Sequence, residues 1–185
     1  MRSLQDVIGR LPPPGTSDHP LHRVSRLEWK TWVRIAMVEA GRDWKSIEPL
    51  QQSQGALADY ALARHGDTAG ALNPIADPRF NSGGNDYSQY GVLQWESASG
   101  AMIAIRSPGQ GVFSVADPRV ATCRQSVDRA YDVVRAPAPS SRAFDVPNPC
   151  DRIPCVITAP DGTWHRPITT LEAAALQAIF EPEQA

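Results

Sequence analysis

The sequence predicts an α+β fold in which N-terminal helices lead into a small, mostly antiparallel sheet of short strands, and a C-terminal helix closes the chain. Three observations support this fold class. Helical spacing of apolar residues is concentrated towards the two ends of the chain. The middle consists of short apolar segments separated by Gly, Pro, Asn and Ser. The 17 Pro and 13 Gly among 185 residues are typical of a loop-rich domain rather than of a helical bundle.

Residues 1–24 are predicted to form an extended connector. Their short apolar opening is followed by Pro12-Pro13-Pro14-Gly15, which cannot lie inside a helix or a central strand. The remaining residues, 25–185, are predicted to form one domain. Its parts are a helical region (25–66), a strand-and-loop region (73–167) and a C-terminal helix (169–181).

Capping and periodicity predict the helices. Ser25 and Glu28 have the spacing of a capping box, and Gly41 is a plausible stop, so a helix is expected over about residues 26–40. Its apolar residues follow helical spacing, and its two indoles are expected in the core: Trp29, Trp32, Val33, Ala36 and Ala40. A second helix is predicted near residues 56–65. The last helix begins with a second capping box, formed by Thr169 and Glu172, and should end before Pro182.

Four apolar segments are strand candidates: Tyr90 to Trp95, Ala101 to Ile105, Val112 to Val115, and Ile153 to Thr158. One tetrapeptide occurs twice, as Ala76-Asp77-Pro78-Arg79 and as Ala116-Asp117-Pro118-Arg119. Because Asp-Pro favours a turn, each turn should position the Arg that follows it. Such an Arg either reaches a phosphate or a base, or it pairs with its own Asp.

Composition limits the functional classes. The net charge of −2 argues against a protein that binds nucleic acid through bulk positive charge. Arg accounts for 16 of the 18 basic residues, which suits bidentate contacts to guanine and phosphate, although a GC-rich genome explains the same bias. Three sparse cysteines fit a reducing cytoplasm, and Cys150 and Cys155 are expected to be ordinary thiols rather than metal ligands. No apolar run is long enough to span a bilayer, so no membrane association is expected.

Two segments resemble cytosine-5 DNA methyltransferases. The run from Trp164 to Gln177 resembles the "Arg-x-Leu-Thr-x-x-Glu-x-Ala-x-Leu-Gln" segment near the end of that family. The opening from Leu4 to Pro12 resembles the stretch that precedes the target-recognition region. Segments between them are similar to a phage and prophage branch: His19 to Arg23, Trp29 to Trp32, Tyr90 to Trp95, and Val112 to Arg119.

The family's catalytic motifs are missing from this sequence. Family members bind S-adenosylmethionine with a Gly-rich loop, attack cytosine with the Cys of a Pro-Cys-Gln motif, and protonate it with the Glu of a Glu-Asn-Val motif. The two Pro-Cys dipeptides here, at Cys150 and Cys155, lack the following Gln. We therefore expect no catalytic, cofactor-binding or metal-binding residue, and S-adenosylmethionine only where a separate catalytic chain supplies its site.

The resemblance implies a target-recognition module that binds double-stranded DNA and is catalytically incompetent alone. Its expected protein partner is either the catalytic subunit of a split methyltransferase or a second copy of the chain. Recognition regions usually carry a Thr-Val or Thr-Leu pair, but the matching place here is Ala101-Met102-Ile103. The DNA-contact candidates are Arg23, Arg26, Arg34, Arg79, Ser82, Gly83, Gly84, Asn85, Arg106 and Arg119. The resemblance also implies that five residues pack the recognition module onto a catalytic domain: Arg166, Thr169, Glu172, Leu176 and Gln177.

Two other classes of function compete with DNA recognition. A catalytically dead remnant would bind another phage or host protein. The mild acidity and the missing Thr favour this reading, and so does the apolar face of the last helix, which must be buried against the chain itself or a partner. An enzyme of different chemistry would draw on the four histidines, for example by assembling Asp161, His165 and a Ser or Thr into a triad. No nucleophile motif such as Gly-x-Ser-x-Gly accompanies these residues.

Overall fold

The computed structural model describes residues 2–47, 90–98, 112–123 and 152–177. Helices and small mixed sheets of few strands give these residues an α+β fold, as predicted. The described elements are α1 (Leu4–Ile8), β1 (Leu27–Glu28), α2 (Trp29–Met37), a 3-10 helix (Trp44–Ile47), β2 (Gly91–Leu93), β3 (Val112–Asp117), β4 (Arg152–Ile153), β5 (Trp164–Pro167) and α3 (Thr170–Leu176).

Several predictions concern other parts of the chain. The helix expected at 56–65, the strand expected at 101–105 and the first Ala-Asp-Pro-Arg copy lie outside the described residues.

Residues 4–8 form a helix, which corrects this part of the extended connector predicted for residues 1–24. In α1, the Ser3 hydroxyl accepts a hydrogen bond from the Asp6 amide, and the Asp6 carboxylate accepts one from the Ser3 amide. This reciprocal cap offsets part of the cost of starting so short a helix. Leu4 and Ile8 are fully buried, so α1 is part of the core.

Helix α2 begins at Trp29, later than the start near residue 26 that the sequence predicts. Leu27 and Glu28 form β1, which pairs antiparallel with β4 through Leu27↔Ile153 and Glu28↔Arg152. The N-cap of α2 is therefore Glu28, whose side chain does not cap the first amides of the helix, and the predicted Ser25–Glu28 capping box does not form. The helix ends at Met37, before Gly41. A nonlocal strand pairing has overridden a local capping signal.

A three-stranded sheet in the order β2-β3-β5 carries the rest of the described fold. β3 pairs antiparallel with β5, through Ser114↔Pro167 to Asp117↔Trp164. β2 pairs parallel with β3, whereas the other two described pairings are antiparallel. A parallel pair needs a long crossover, and 18 residues of sequence separate β2 from β3. β5 was not among the strand candidates, and of the candidate from Ile153 to Thr158 only Ile153 lies in a named strand.

A tight turn leads into β5. The Ala159 amide donates to the Thr163 carbonyl at 2.8 Å, and Gly162 adopts φ of +85° between them. The left-handed region is open to glycine without the Cβ penalty of other residues. This turn sets Trp164 to His165 against the core, where both are buried.

The core joins the two ends of the chain. Trp32 of α2 stacks on Trp164 of β5 with ring centroids 6.1 Å apart, and both indoles are fully buried, as expected for Trp32. Across the sheet, α1 packs on α3. The buried side chains between those two helices are Val7, Leu11, Leu171 and Ala175.

Candidate functional site

A buried ion network lies where β3, β5 and α3 meet. Arg166 of β5 is 1% exposed and donates to two carboxylates. Its Nε and Nη2 lie 3.0 and 2.8 Å from Asp117 Oδ2. Its Nη1 and Nη2 lie 2.8 and 2.6 Å from the two oxygens of Glu172. One guanidinium therefore donates hydrogen bonds to two acidic side chains that are themselves fully buried.

Asp117 receives a second guanidinium, that of Arg119. The Nε and Nη2 of Arg119 donate to the two oxygens of Asp117 at 2.9 and 2.8 Å, and its Nη1 donates to the Leu11 carbonyl at 2.9 Å. The same guanidinium lies over the Trp95 ring, 4.9 Å from its centroid. Arg119 thus links the end of β3 to the chain after α1 and to the segment after β2.

The network extends through the cap of α3 to His22. Glu172 accepts from the Thr169 amide at 2.7 Å, and the Thr169 hydroxyl accepts from the Glu172 amide at 3.3 Å, so the predicted capping box forms. Nε2 of His22 lies 2.6 Å from the Pro12 carbonyl oxygen, and Nδ1 of the same ring lies 2.9 Å from the Thr169 hydroxyl. Since a carbonyl only accepts, Nε2 carries a proton, and in the neutral ring Nδ1 accepts from the threonine.

These contacts shift the ionisation of the buried groups. Burial alone would raise the pKa of Asp117, but the charges of Arg166 and Arg119 outweigh it and lower that pKa to about 2. Burial would likewise raise the pKa of Glu172, but the charge of Arg166 and the hydrogen bonds that Arg166 donates lower it. Burial lowers the pKa of His22, which favours the neutral ring. Burial, with the nearby charge of Asp117, raises the pKa of the Cys123 thiol to about 12, so it stays protonated.

The packing residues taken from the resemblance serve this chain's own interior. Arg166, Thr169 and Glu172 are all buried within the network. Leu176 packs beside Leu4 and Ile8 of α1, and Gln177 is the exposed C-cap of α3. The sequence did not predict that Asp117 and His22 belong to this group. Asp117 carries a local signal in its Asp-Pro-Arg motif, whereas the contact between His22 and Thr169 joins residues far apart in the chain.

The DNA-contact candidates fall into three groups. Arg23 and Arg26 are exposed on the segment that leads into β1. Arg34 is only 7% exposed and Arg119 pairs with its own Asp, so neither presents an open guanidinium to solvent. The other candidates lie outside the described residues: Arg79, Ser82, Gly83, Gly84, Asn85 and Arg106.

Asp161 and His165 do meet, but not as a catalytic pair. His165 Nε2 lies 3.2 Å from Asp161 Oδ2, while its Nδ1 lies 3.0 Å from the Ile35 carbonyl. Both ring nitrogens are occupied and the ring is 1% exposed, so neither nitrogen can activate a nucleophile. The Thr163 hydroxyl donates to Asp161 at 2.7 Å rather than facing the imidazole.

Metal ligands, free thiols and membrane-spanning helices can be assessed in the described residues. They contain no group of three or more His, Cys, Asp or Glu side chains arranged to hold a metal ion. Cys123 and Cys155 are free thiols. In the same parts of the chain, no helix is long and apolar enough to cross a bilayer.

A polar groove of about 580 Å³ lies apart from the ion network, beside the 3-10 helix and β2. Charged side chains of both signs line it, including Glu39, Arg42, Asp43 and Lys45. It contains none of the predicted DNA-contact residues. Comparison of the chain with protein-family models, with curated proteins and with solved structures finds no match.

Proposed function

We propose that this chain is a DNA-binding target-recognition module related to cytosine-5 DNA methyltransferases, and that it contributes to methylation only with a separate catalytic chain. The observation that carries the proposal is the segment from Trp164 to Gln177. The Arg, Thr and Glu through which it resembles the family are joined here in one hydrogen-bonded unit, β5 followed by α3. Their spacing therefore has a physical purpose in this chain, since it closes the cap of a buried helix.

The ligand of such a module is double-stranded DNA. With a net charge of −2, the chain as a whole does not attract a polyanion. Affinity must come from a local concentration of arginine on one surface, with base-edge contacts supplying sequence preference. S-adenosylmethionine would be bound by the catalytic chain, and the free thiols Cys123 and Cys155 suit a cytoplasmic location.

One of the three grounds for the protein-interaction alternative was an apolar face of the last helix that needed a cover. Here α1 covers that face, with Val7 and Leu11 packed on Leu171 and Ala175. The other two grounds are the net charge of −2 and the missing Thr-Val or Thr-Leu pair. We keep DNA recognition as the leading proposal because of the resemblance carried by residues 164–177.

Fluorescence anisotropy tests the proposal. The purified chain is titrated into a labelled duplex of mixed sequence at about 50 and 150 mM salt, with unlabelled competitor duplexes of differing sequence. We expect binding that weakens steeply with salt yet distinguishes between competitors. Absence of binding at the lower salt concentration would refute DNA recognition by this chain.

A further inference from the structure

Among the described residues, the exposed arginines without an internal partner lie on the small β1–β4 ribbon or on the segment that leads into it. Arg152 begins β4 and lies opposite Glu28, and Arg26 immediately precedes β1. Continuing the register by one residue puts Arg26 on the Arg152 face of the ribbon, where diagonal neighbours are about 7–8 Å apart. Arg23 is exposed three residues earlier.

These three side chains differ from the other arginines in their contacts. Within residues 2–47, 90–98, 112–123 and 152–177, the side chains of Arg23, Arg26 and Arg152 form no hydrogen bond and no ion pair. By contrast, Arg42 forms an ion pair with Glu39, in which Nε of Arg42 lies 3.8 Å from Oε2 of Glu39. Glu28 is the acidic residue of the ribbon itself, and it is partly buried. The ribbon and the residue before β1 therefore carry two exposed guanidinium groups, those of Arg26 and Arg152, against the carboxylate of Glu28, and Arg23 adds a third on the segment that leads into β1.

The ribbon is fixed to the core, which holds these guanidinium groups on a defined backbone. The Trp32 indole donates to the Ile153 carbonyl at 2.7 Å. Trp29 follows β1 directly and is buried at the start of α2. A ligand bound by the ribbon meets a backbone that is already ordered, which reduces the entropy lost on binding.

We propose that Arg23, Arg26 and Arg152 form a phosphate-binding surface that contacts the sugar-phosphate backbone of duplex DNA. This inference rests on the proposed function and assigns its DNA-facing side, including Arg152, which the sequence did not single out. The planar guanidinium donates two hydrogen bonds to a phosphate, which an ammonium cannot do in the same geometry. Membrane surfaces are usually bound by clusters of four to eight basic residues, so a set of three arginines favours DNA over a lipid headgroup.

The test compares two variants that each remove two positive charges. R26Q/R152Q changes the ribbon, whereas R42Q/K45Q changes exposed residues beyond the other end of α2. For each, the affinity for a mixed-sequence duplex is measured by anisotropy between about 50 and 200 mM salt. Each lost phosphate contact should reduce the slope of log affinity against log salt by about 1. We expect R26Q/R152Q to reduce that slope by about 2, and R42Q/K45Q to leave it unchanged.

Further measurements separate the possible failures. R26K/R152K should restore most of the slope, and thermal unfolding should show that all variants remain folded. If the wild-type chain binds DNA and both charge-removing variants keep its slope, the ribbon assignment is wrong while the proposed function stands. If the wild type binds no DNA, both fail together. Binding to phosphatidylserine vesicles but not to duplex, lost in R26Q/R152Q, would identify a membrane surface and overturn the inference.

Discussion

Two sets of arginines in this chain have opposite surroundings. Arg166 and Arg119 are held by Asp117, Glu172 and a backbone carbonyl, and Arg166 is 1% exposed. Those on the β1–β4 ribbon are exposed and have no partner among the described side chains. The same residue type therefore closes the interior in one region and offers charge to solvent in the other. Counting arginines along a sequence cannot separate these two uses.

The largest effect is expected from Arg166→Met. This change leaves Glu172 without its guanidinium and Asp117 with Arg119 alone, in a site closed to water. Removing one partner of a buried ion pair typically costs roughly 3–5 kcal/mol, because the remaining charge is buried and uncompensated. Urea unfolding should show a loss of that size. A loss below about 1 kcal/mol would mean that water reaches the network.

A double-mutant cycle sharpens this result. Because Arg166 and Glu172 share two hydrogen bonds, R166M/E172M should cost less than the sum of R166M and E172M. Additive losses would show that the two side chains do not stabilise each other.

Acid should weaken the fold through the same network. The folded pKa values of Asp117, about 2, and of Glu172 lie below their unfolded values. Their contribution is therefore complete above the unfolded pKa values near 4 and is lost as pH falls towards 2. The lowered pKa of His22 acts in the same direction below its unfolded value of 6.5, since the folded ring resists protonation.

Urea unfolding at pH 7, 5 and 3 measures this dependence. We expect the free energy of unfolding to fall with each step, and to fall less between pH 5 and 3 in R166M, whose carboxylates no longer face that guanidinium. Equal pH dependence in R166M and wild type would contradict the assignment of the effect to Arg166.

A smaller effect is expected at the cap of α3. Thr169→Ala removes the hydroxyl that accepts from Glu172 and faces His22, and loss of an N-cap typically costs about 1 kcal/mol. Thr169→Ser keeps the hydroxyl and should retain most of the stability. If the two variants unfold at the same urea concentration, the hydroxyl has no part in stability.

How well the sequence predicts each element follows from how local its determinants are. The capping box of α3 depends on residues three apart, and it forms as predicted. The start of α2 depends on Leu27 and Glu28 pairing with β4, more than a hundred residues away in the chain, so the local signal at Ser25 was misleading. The helix α1 was missed because it has only five residues and lies just before three prolines.

The candidate site shows the same division. The Asp-Pro-Arg motif left two alternatives for Arg119, and the structure shows it paired with its own Asp. That Arg166 also reaches Asp117 follows from the register of β3 against β5, which periodicity does not give. Arg152 was overlooked for a similar reason, since only the β1–β4 pairing brings it to Arg26.

The smallest effect on stability should come from the ribbon. In R26Q/R152Q neither lost guanidinium has a partner among the described residues, so the free energy of unfolding should stay within about 0.5 kcal/mol of wild type. A loss as large as that of R166M would place the ribbon arginines among the structural ones and remove the contrast between the two sets.

Hydrogen–deuterium exchange on adding duplex DNA tests the division between the two sets most directly. We predict slower amide exchange in peptides that cover residues 19–28 and 152–158, with exchange in residues 164–177 unchanged. Slower exchange in residues 164–177, with the ribbon peptides unaffected, would contradict the account and place the DNA on the β5–α3 side of the molecule.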